Sequence, residues 1–351
     1  MTGKAAPPAR RPRRRWPRRA LLALLALAVL AGSGWAAWRY ETEWPKIQAG
    51  APPVKLVVPP GASAEAIARQ LHGLGLVHHP LVFRLLARQR RLGAQLKAGE
   101  YALSGPLSLE GILEALARGE VVRRDVTVPE GRSLDEVAAL VAGEGLAPEV
   151  FLDAAHDPAP VRDLDPAATD LEGYLFPDTY DLPQTPEAPR ALVRRMTGRF
   201  RAVISPELGR IAEKGLTVRQ VVTLASIVEL ETARAEERPR IAAVFLNRLD
   251  KGMPLQTDPS IVYALKRAGR WDGNIRKRDL EIDSPYNTYR RPGLPPGPLG
   301  SPGRESILAV LDPAATRDLY FVSRNDGTHQ FSETLAEHNR AVNRYQRHAS
   351  S

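Results

Sequence analysis

The chain has 351 residues, a formal net charge of +9 and no cysteine. Its length allows two or three domains with a sizeable core. The lack of cysteine excludes disulfides, thiolate chemistry and cysteine-ligated metals. Residues 1–19 hold one lysine and seven arginines without an acid, and subtracting these eight charges from +9 leaves +1 for the other 332 residues. The body is thus nearly neutral, so the charge gives no support to a nucleic-acid-binding protein.

An uncharged stretch at residues 20–38 follows this basic tail. As a helix it spans roughly 28 Å, close to the thickness of a bilayer core. Four aromatic residues lie near its two ends, as interfacial aromatics do: Trp16, Trp35, Trp38 and Tyr40. Arginines precede the stretch and Glu41 and Glu43 follow it, which places the N-terminus in the cytoplasm.

The sequence therefore predicts a cytoplasmic tail at 1–19 and a single transmembrane helix at 20–39 of the cytoplasmic (inner) membrane, with the remaining chain outside. A cleaved signal peptide is the competing interpretation, because Ala and Gly follow the leucine-rich run. Trp35 and Trp38 interrupt any clean small-residue cleavage site, and this favours an uncleaved anchor. Residues 40–53 are polar and contain proline, which predicts a short linker.

A sequence motif occurs twice at a constant offset of 70 positions. Residues 58–63 read VPPGAS and residues 128–133 read VPEGRS, and the pairs at 67–68 and 75–76 also have counterparts at 137–138 and 145–146. Each copy predicts a strand, a Pro/Gly turn, a serine N-cap and an amphipathic helix. Strand–turn–helix units often look alike, but the constant offset favours a duplicated unit.

The elements between and beyond these copies predict an α+β fold in two parts. Helices at 80–89 and 108–118 and a strand at 99–103 complete a small α+β module at 54–125. From 126 to 351 helices alternate with Pro/Gly-rich loops, which predicts a larger mixed α+β domain. Its last elements are a strand at 319–322, a turn at 325–327 and a charged amphipathic helix at about 334–347.

The most informative segment is an apolar helix that carries two carboxylates, Glu229 and Glu231. Thr217 and Gln220 form a capping-box signature at its start. The helix is apolar on most of its circumference, which predicts burial: Val218, Val221, Val222, Leu224, Ala225, Ile227 and Val228. Because desolvation disfavours a charge, a glutamate in such a place tends to keep its proton near neutral pH, as a general acid must.

Helical geometry favours Glu231 over Glu229 as that acid. At about 100° per residue, Glu231 lies over mostly large groups, whereas Glu229 lies over smaller ones. Glu231 is also nearer the C-terminal end, where the helix dipole disfavours an anion. The structural alternative, in which both glutamates pair with Arg234, Arg238 or Arg240, stays open.

Four further stretches combine aromatic, acidic and amide residues with turn residues: 171–180, 255–259, 284–298 and 329–332. Tyrosines and amides on stiff loops suit a carbohydrate groove, because aromatic faces stack on sugars and amides bind hydroxyl and N-acetyl groups. The candidate substrate-binding residues are Gln256, Tyr286, Asn287 and Tyr289. Turn chemistry with core aromatics explains each stretch taken alone. The seven histidines show no metal-ligand spacing, so no metal site is expected.

Taken together, these segments resemble the MltG (YceG-like) endolytic murein transglycosylases. The resemblance rests on residues 171–180, 225–232, 256–259, 284–289 and 293–298 and covers nearly the whole chain, the N-terminal anchor included. It implies a LysM-like glycan-binding module at 54–125 and a YceG-like catalytic domain at 126–351. It also implies that the catalytic glutamate is the one in the Glu-Thr pair, Glu231-Thr232. Leu230 departs from the family, where a charged residue often stands.

The resemblance implies a lyase that cuts peptidoglycan strands internally between N-acetylmuramic acid and N-acetylglucosamine, leaves 1,6-anhydro ends and so ends nascent strands. It implies no cofactor, and it implies penicillin-binding proteins and other wall-elongation proteins as partners. Two alternatives remain. One is a lysozyme-like hydrolase with a second carboxylate, for which Asp258, Asp178 and Glu229 are candidates. The other is a wall-binding scaffold in which both glutamates are structural.

Overall fold

The computed structural model describes residues 18–347. Apart from Arg18 and Arg19, the predicted cytoplasmic tail lies outside the described residues. The chain divides into two compact units, one ending at Val122 and one beginning at Arg123. Both units mix helices with short antiparallel strands, so the predicted α+β class is confirmed.

The first unit begins with helix α1 (Arg18–Glu43). An 18-residue stretch within Ala20–Glu43 has a mean hydropathy of 2.1 and no buried residue, so the helix is long and apolar enough to cross a membrane. Trp38, at the end of the apolar stretch, packs against the core of this unit. Tyr40 stacks on Trp44 at a ring-centroid distance of 5.7 Å, and both side chains are exposed.

Residues 40–53, for which the sequence predicts a short linker, contain regular structure. Helix α1 continues to Glu43, and strand β1 (Pro45–Ile47) pairs antiparallel with residues 107–108. The side chain of Glu41 turns inward and accepts hydrogen bonds from Lys46 Nζ at 2.9 Å and from the backbone N–H of His78 at 2.9 Å. Buried partners for polar groups, which composition does not reveal, order this segment.

The remaining first unit forms a small α+β module around one core. Its elements are β2 (Val54–Val58), α2 (Ala64–Gly73), α3 (Pro80–Gln89), β3 (Gly99–Leu103), β4 (Leu107–Ser108) and α4 (Leu109–Arg118). Strands β2 and β3 pair antiparallel, and the apolar faces of α2, α3 and α4 cover one another, as the spacing of their leucines predicts. The predicted helices at 80–89 and 108–118 and the strand at 99–103 are confirmed.

The second unit contains the rest of the elements. They are β5 (Arg123–Val128), α5 (Leu134–Gly143), α6 (Pro148–Ala155), β6 (Asp178–Pro183), α7 (Ala188–Ile204), α8 (Leu208–Glu213), α9 (Val218–Glu231), α10 (Arg238–Asp250), α11 (Asp258–Arg267), α12 (Arg304–Leu311), β7 (Tyr320–Ser323), β8 (His329–Ser332) and α13 (Leu335–Val342). A π-helical segment, Asn343–Arg347, follows α13. Strands β5 and β6 form one antiparallel pair and β7 and β8 another.

Helix α9 is the central helix of the second unit, as its composition predicts. Nine of its fourteen residues are buried, and α10, α11 and α12 pack around it. The predicted capping box is present: Thr217 Oγ1 accepts from the Gln220 N–H at 3.2 Å, and Gln220 Oε1 accepts from the Thr217 N–H at 2.8 Å. The capping box fixes where the helix begins, and the burial of the helix fixes which of its faces lie against the core. Together they determine the directions of its last side chains.

The duplicated motif folds the same way in both copies, which confirms the predicted strand, turn, N-cap and helix. Strands β2 and β5 are each followed by a glycine in the left-handed region, Gly61 at φ +69° and Gly131 at φ +75°. A ten-residue helix then starts after Ser63 in one copy and after Ser133 in the other. The two turns differ in charge, because only the second copy has charged residues in its turn.

Candidate active site

Two helix ends meet around the side chain of Glu231. Glu231 is the last residue of α9, and the chain turns extended at Thr232. Thr257 is the N-cap of α11, and its Oγ1 donates a hydrogen bond to Glu231 Oε1. The C-terminal end of α9 disfavours an anion and the N-terminal end of α11 favours one, so the carboxyl lies between opposed helix dipoles.

Burial raises the pKa of Glu231 to about 7. The Thr257 hydroxyl opposes this rise by hydrogen bonding to the carboxylate, the nearby Asp258 carboxylate adds to it, and the Arg248 guanidinium lowers the pKa. A carboxyl with this pKa keeps its proton in about half of the molecules at neutral pH. It can therefore donate a proton and later accept one, as an acid that also serves as a base must.

The surroundings of Glu229 differ from those of Glu231, which lies two residues further along the helix. Its Oε1 lies 2.8 Å from Arg238 Nη2, and its Oε2 accepts from the Gly303 N–H at 2.8 Å. Within residues 18–347, Glu231 has no basic side chain within 4.0 Å. The structural ion-pair hypothesis is therefore confirmed for Glu229, and it does not describe Glu231.

Glu231 faces a cavity of about 420 Å³, here called the Glu231 cavity. The side chain is only partly exposed, through this opening. Polar and aromatic groups line the cavity: Glu231, Arg248, Gln256, Asp258, Tyr289, Phe321, His338 and Gln346, with Leu255, Val322 and Val342. A partly buried carboxyl beside a cavity with aromatic walls is the setting that a sugar-cleaving acid requires.

The structure brings together four of the seven sequence-predicted site residues: Glu231, Gln256, Asp258 and Tyr289. Gln256 adopts the left-handed conformation with φ +53°, which is rare for a residue with a side chain and common at functional sites. Tyr289 donates its hydroxyl to Asp258 Oδ1 at 2.5 Å, so this pair forms one wall.

The other three predicted residues lie outside this lining. Glu229 belongs to the ion pair described above. Asn287 is fully buried, and its Nδ2 donates to the carbonyls of Leu280 and Ile282 at 2.9 Å each, so its amide orders its own loop. Tyr286 packs on Tyr263 with ring centroids 4.7 Å apart. The sequence does not distinguish a loop amide or a loop aromatic residue that faces a ligand from one that packs within its own loop.

Arg248 is a cavity residue that the sequence analysis did not identify. It is 8% exposed, and within residues 18–347 it has no carboxylate within 4.0 Å. Its Nε donates to the Leu319 carbonyl at 2.7 Å and its Nη1 to the Leu255 carbonyl at 2.8 Å. A buried guanidinium held by carbonyl groups places a fixed positive charge near Glu231.

Of the two aspartates considered as a second carboxylate, only Asp258 lines the Glu231 cavity. Asp178 lies on β6, exposed, and its Oδ2 is 3.1 Å from Arg199 Nε. Among residues 18–347, no group of three or more His, Asp or Glu side chains could hold a metal ion.

The relatives that comparison with known proteins finds agree on one family. The model of the YceG-like family matches residues 56–344. An endolytic murein transglycosylase of Streptococcus pneumoniae strain D39 is 33% identical, over 91% of this chain and 63% of that protein, so the chain spans less than two thirds of that relative's length. The endolytic murein transglycosylase of Bacillus subtilis strain 168 is also 33% identical, over 83% of this chain and 84% of that protein.

A crystal structure shows the same similarity in three dimensions. A YceG-like protein of Listeria monocytogenes superposes with a TM-score of 0.56 at 31% sequence identity, covering 82% of this chain and 98% of that one. The matched residues of the family model include both the small module and the domain that carries Glu231. The chain belongs to the YceG-like family.

Proposed function

We propose that the protein is an endolytic murein transglycosylase that cuts peptidoglycan strands between N-acetylmuramic acid and N-acetylglucosamine. The single observation that carries this proposal is Glu231, a carboxyl without a counter-ion that burial keeps protonated near neutral pH beside an open cavity. The names of the Streptococcus and Bacillus relatives point to the same reaction.

The reaction needs one group that first gives and then takes a proton. Glu231 donates its proton to the glycosidic oxygen as the bond from that oxygen to C1 of the muramic residue breaks. The C6 hydroxyl of the same residue then attacks C1, and the Glu231 carboxylate takes the hydroxyl proton. The products are a free 4-hydroxyl on N-acetylglucosamine and a 1,6-anhydro end, and no water is consumed.

Thr257 and Arg248 fit the second half of this cycle. Once Glu231 has lost its proton, the Thr257 hydroxyl and the Arg248 charge stabilise the resulting carboxylate. Asp258 opposes them by raising the pKa of Glu231, so the carboxyl remains able to regain a proton. The substrate's own N-acetyl group would stabilise the positive centre at C1, which makes one carboxylate sufficient.

A muramidase that uses Asp258 as its second carboxylate is the alternative, because Asp258 lines the same cavity as Glu231. Digestion of purified sacculi by the wild type and by Glu231→Gln separates the two reactions. Products with 1,6-anhydro ends support the lyase, and products with reducing ends support the hydrolase. If Glu231→Gln retains full activity, the assignment of the acid is wrong, and if the wild type cuts nothing, the scaffold interpretation is favoured.

We further propose that α1 anchors the protein once in the cytoplasmic membrane, with the N-terminus inside and the enzyme outside. The basic residues before the apolar stretch and the acids after it support this orientation. The small module at 54–125 would hold glycan strands, and wall-elongation proteins, penicillin-binding proteins among them, would be the partners. Sequencing the mature N-terminus from membrane fractions tests the anchor, and a terminus near residue 40 would contradict it.

A further inference from the structure

A second cavity, of about 430 Å³, adjoins the Glu231 cavity. Asp258 lines both cavities, and the neighbouring residues Leu230 and Glu231 line one each. We call it the Leu230 cavity. Leu230 is 40% exposed, whereas the other large apolar side chains of α9 are buried, and further apolar lining comes from Pro259, Val262 and Leu299. Leu230 thus adds an exposed apolar side chain to the lining at the position next to Glu231.

Five charged side chains of both signs surround this apolar lining: Glu130, Arg132, Glu136, Asp258 and Lys266. Lys266 Nζ lies 2.6 Å from Glu136 Oε1, and Arg132 Nη1 lies 3.7 Å from the same oxygen. The side chains of Arg132 and Lys266 are 48% and 37% exposed. Because such partly exposed pairs are weak, they can exchange partners with a charged ligand.

The duplicated motif shows that the fold of this turn does not require its charges. Glu130, Arg132 and Glu136 stand where the first copy has Pro60, Ala62 and Ala66, and both copies form the same strand, turn and helix. Glu136 also closes a capping box with Ser133, but Ala66 shows that the helix starts without it. The charges at this wall are therefore not needed to form the turn, and Glu130 and Glu136 instead lie near Arg238 and Lys266, at 3.8 Å and 2.6 Å.

The backbone of the charged turn is held firmly beside α9. The Gly131 N–H donates to the Ser301 carbonyl at 2.8 Å, and the Ser301 N–H donates to the Arg132 carbonyl at 2.9 Å. From inside, buried Glu172 accepts hydrogen bonds from the Leu134 N–H and the Tyr263 hydroxyl, each at 3.1 Å. A fixed backbone with exposed charged side chains suits a binding site whose charges meet a ligand.

The lining chemistry favours a peptide over a sugar. An aromatic ring stacks on a sugar only where its face is open to the ligand. The Leu230 cavity has no Asn or Gln in its lining, and its aromatic residue, Tyr263, is 5% exposed with its hydroxyl engaged. A short peptide with methyl side chains, carboxylates and an amine matches both the apolar lining and the paired charges. Peptides of this chemistry are attached to the muramic residues of peptidoglycan.

We propose that the Leu230 cavity binds the peptide stem of the strand whose glycan chain is cut at Glu231. The inference rests on the proposed function, since it places the peptide and the scissile bond in adjoining cavities that share Asp258. The enzyme would then select strands that still carry their peptides.

The test compares two substrates made from the same sacculi: un-cross-linked strands that carry peptides, and the same strands after an amidase has removed them. Full-length wild type and the double variant Arg132→Ala/Lys266→Ala are assayed on both by counting new chain ends. The matched control is Lys214→Ala/Lys251→Ala, which removes two exposed positive charges outside this lining. We expect the wild type to prefer peptide-bearing strands by about tenfold in kcat/KM, and the cavity variant alone to lose that preference.

Other outcomes overturn the inference. If the wild type cuts both strands equally well, or if the cavity variant loses activity on both in parallel, the cavity binds sugar or no substrate part at all. Binding of the free stem peptide to full-length Glu231→Gln, with and without Arg132→Ala/Lys266→Ala, separates this from a failure of the proposed function. Specific peptide binding to Glu231→Gln, together with no cleavage of either strand by the wild type, would support the cavity and refute the reaction, and absent binding would refute the cavity.

Discussion

Glu229 and Glu231 lie two residues apart at the end of one helix, and their surroundings differ in counter-charge. The Glu229 side chain is 5% exposed and lies 2.8 Å from Arg238, which is itself 9% exposed. Glu231 instead accepts a hydrogen bond from a neutral hydroxyl, and burial raises its pKa to about 7. The comparison teaches that burial alone does not create an acid. A carboxyl must also be denied a counter-ion.

The largest effect that this contrast predicts is on catalysis. Glu231→Gln should lower the rate of strand cleavage by about a thousandfold or more, because the amide can neither donate nor accept the proton. Counting anhydro ends released from sacculi measures this. Its thermal unfolding should match that of the wild type within a few degrees, and a variant that is inactive because it is unfolded would not count as support.

Glu229→Gln should act on stability instead. Removing the Glu229 charge leaves buried Arg238 with the more distant carboxylate of Glu130, 3.8 Å away, and breaking a buried pair costs up to about 3–5 kcal/mol. Urea unfolding measures the loss. The double variant Glu229→Leu/Arg238→Met should recover much of it, since it leaves no buried charge. Equal stability of Glu229→Gln and wild type would refute the structural role.

The sequence could predict α9, its capping box and its burial because these depend on residues close together in the chain. Thr217 and Gln220 form the cap that their spacing indicates. It could not predict which glutamate has a counter-ion. Arg238 comes from α10 and Thr257 from the turn before α11, and only the tertiary fold brings each to its carboxylate.

The same limit explains the other differences between expectation and structure. The amide of Asn287 is of the type that binds sugars, yet it is used by backbone carbonyls of its own loop. The segment at 40–53 has the composition of a linker, yet buried Glu41 and strand β1 order it. Composition reports which groups can form hydrogen bonds, whereas the fold decides with which partner they form them.

The third prediction concerns pH. The pKa of Glu231 is raised from its ordinary value of 4.5 to about 7, so between these pH values the folded protein binds a proton that the unfolded chain has lost. The stabilisation is fully present below pH 4.5 and is lost as pH rises through 7, by an amount on the order of 3 kcal/mol. Glu231→Gln lacks this dependence. The free energy of unfolding of this variant minus that of the wild type should therefore increase as the pH rises from 4.5 to 7. Urea unfolding at a series of pH values measures the difference, and a constant difference would contradict the raised pKa.

The smallest effect comes from the hydroxyl that contacts Glu231. Thr257→Val removes a hydrogen bond that lowers the pKa of Glu231, so that pKa should rise further. General-acid activity falls as pH rises through this pKa, and the alkaline limb of kcat/KM should therefore move to higher pH, by about one unit or less. Thr257→Ser keeps the hydroxyl and should leave the limb in place. The rate at low pH should fall only a few-fold in Thr257→Val, because the proton is still present and only the hydrogen bond that stabilises the carboxylate after proton donation is lost. A limb that shifts in Thr257→Ser and not in Thr257→Val would mean that packing of the Thr257 methyl group, and not its hydrogen bond, sets the protonation of Glu231.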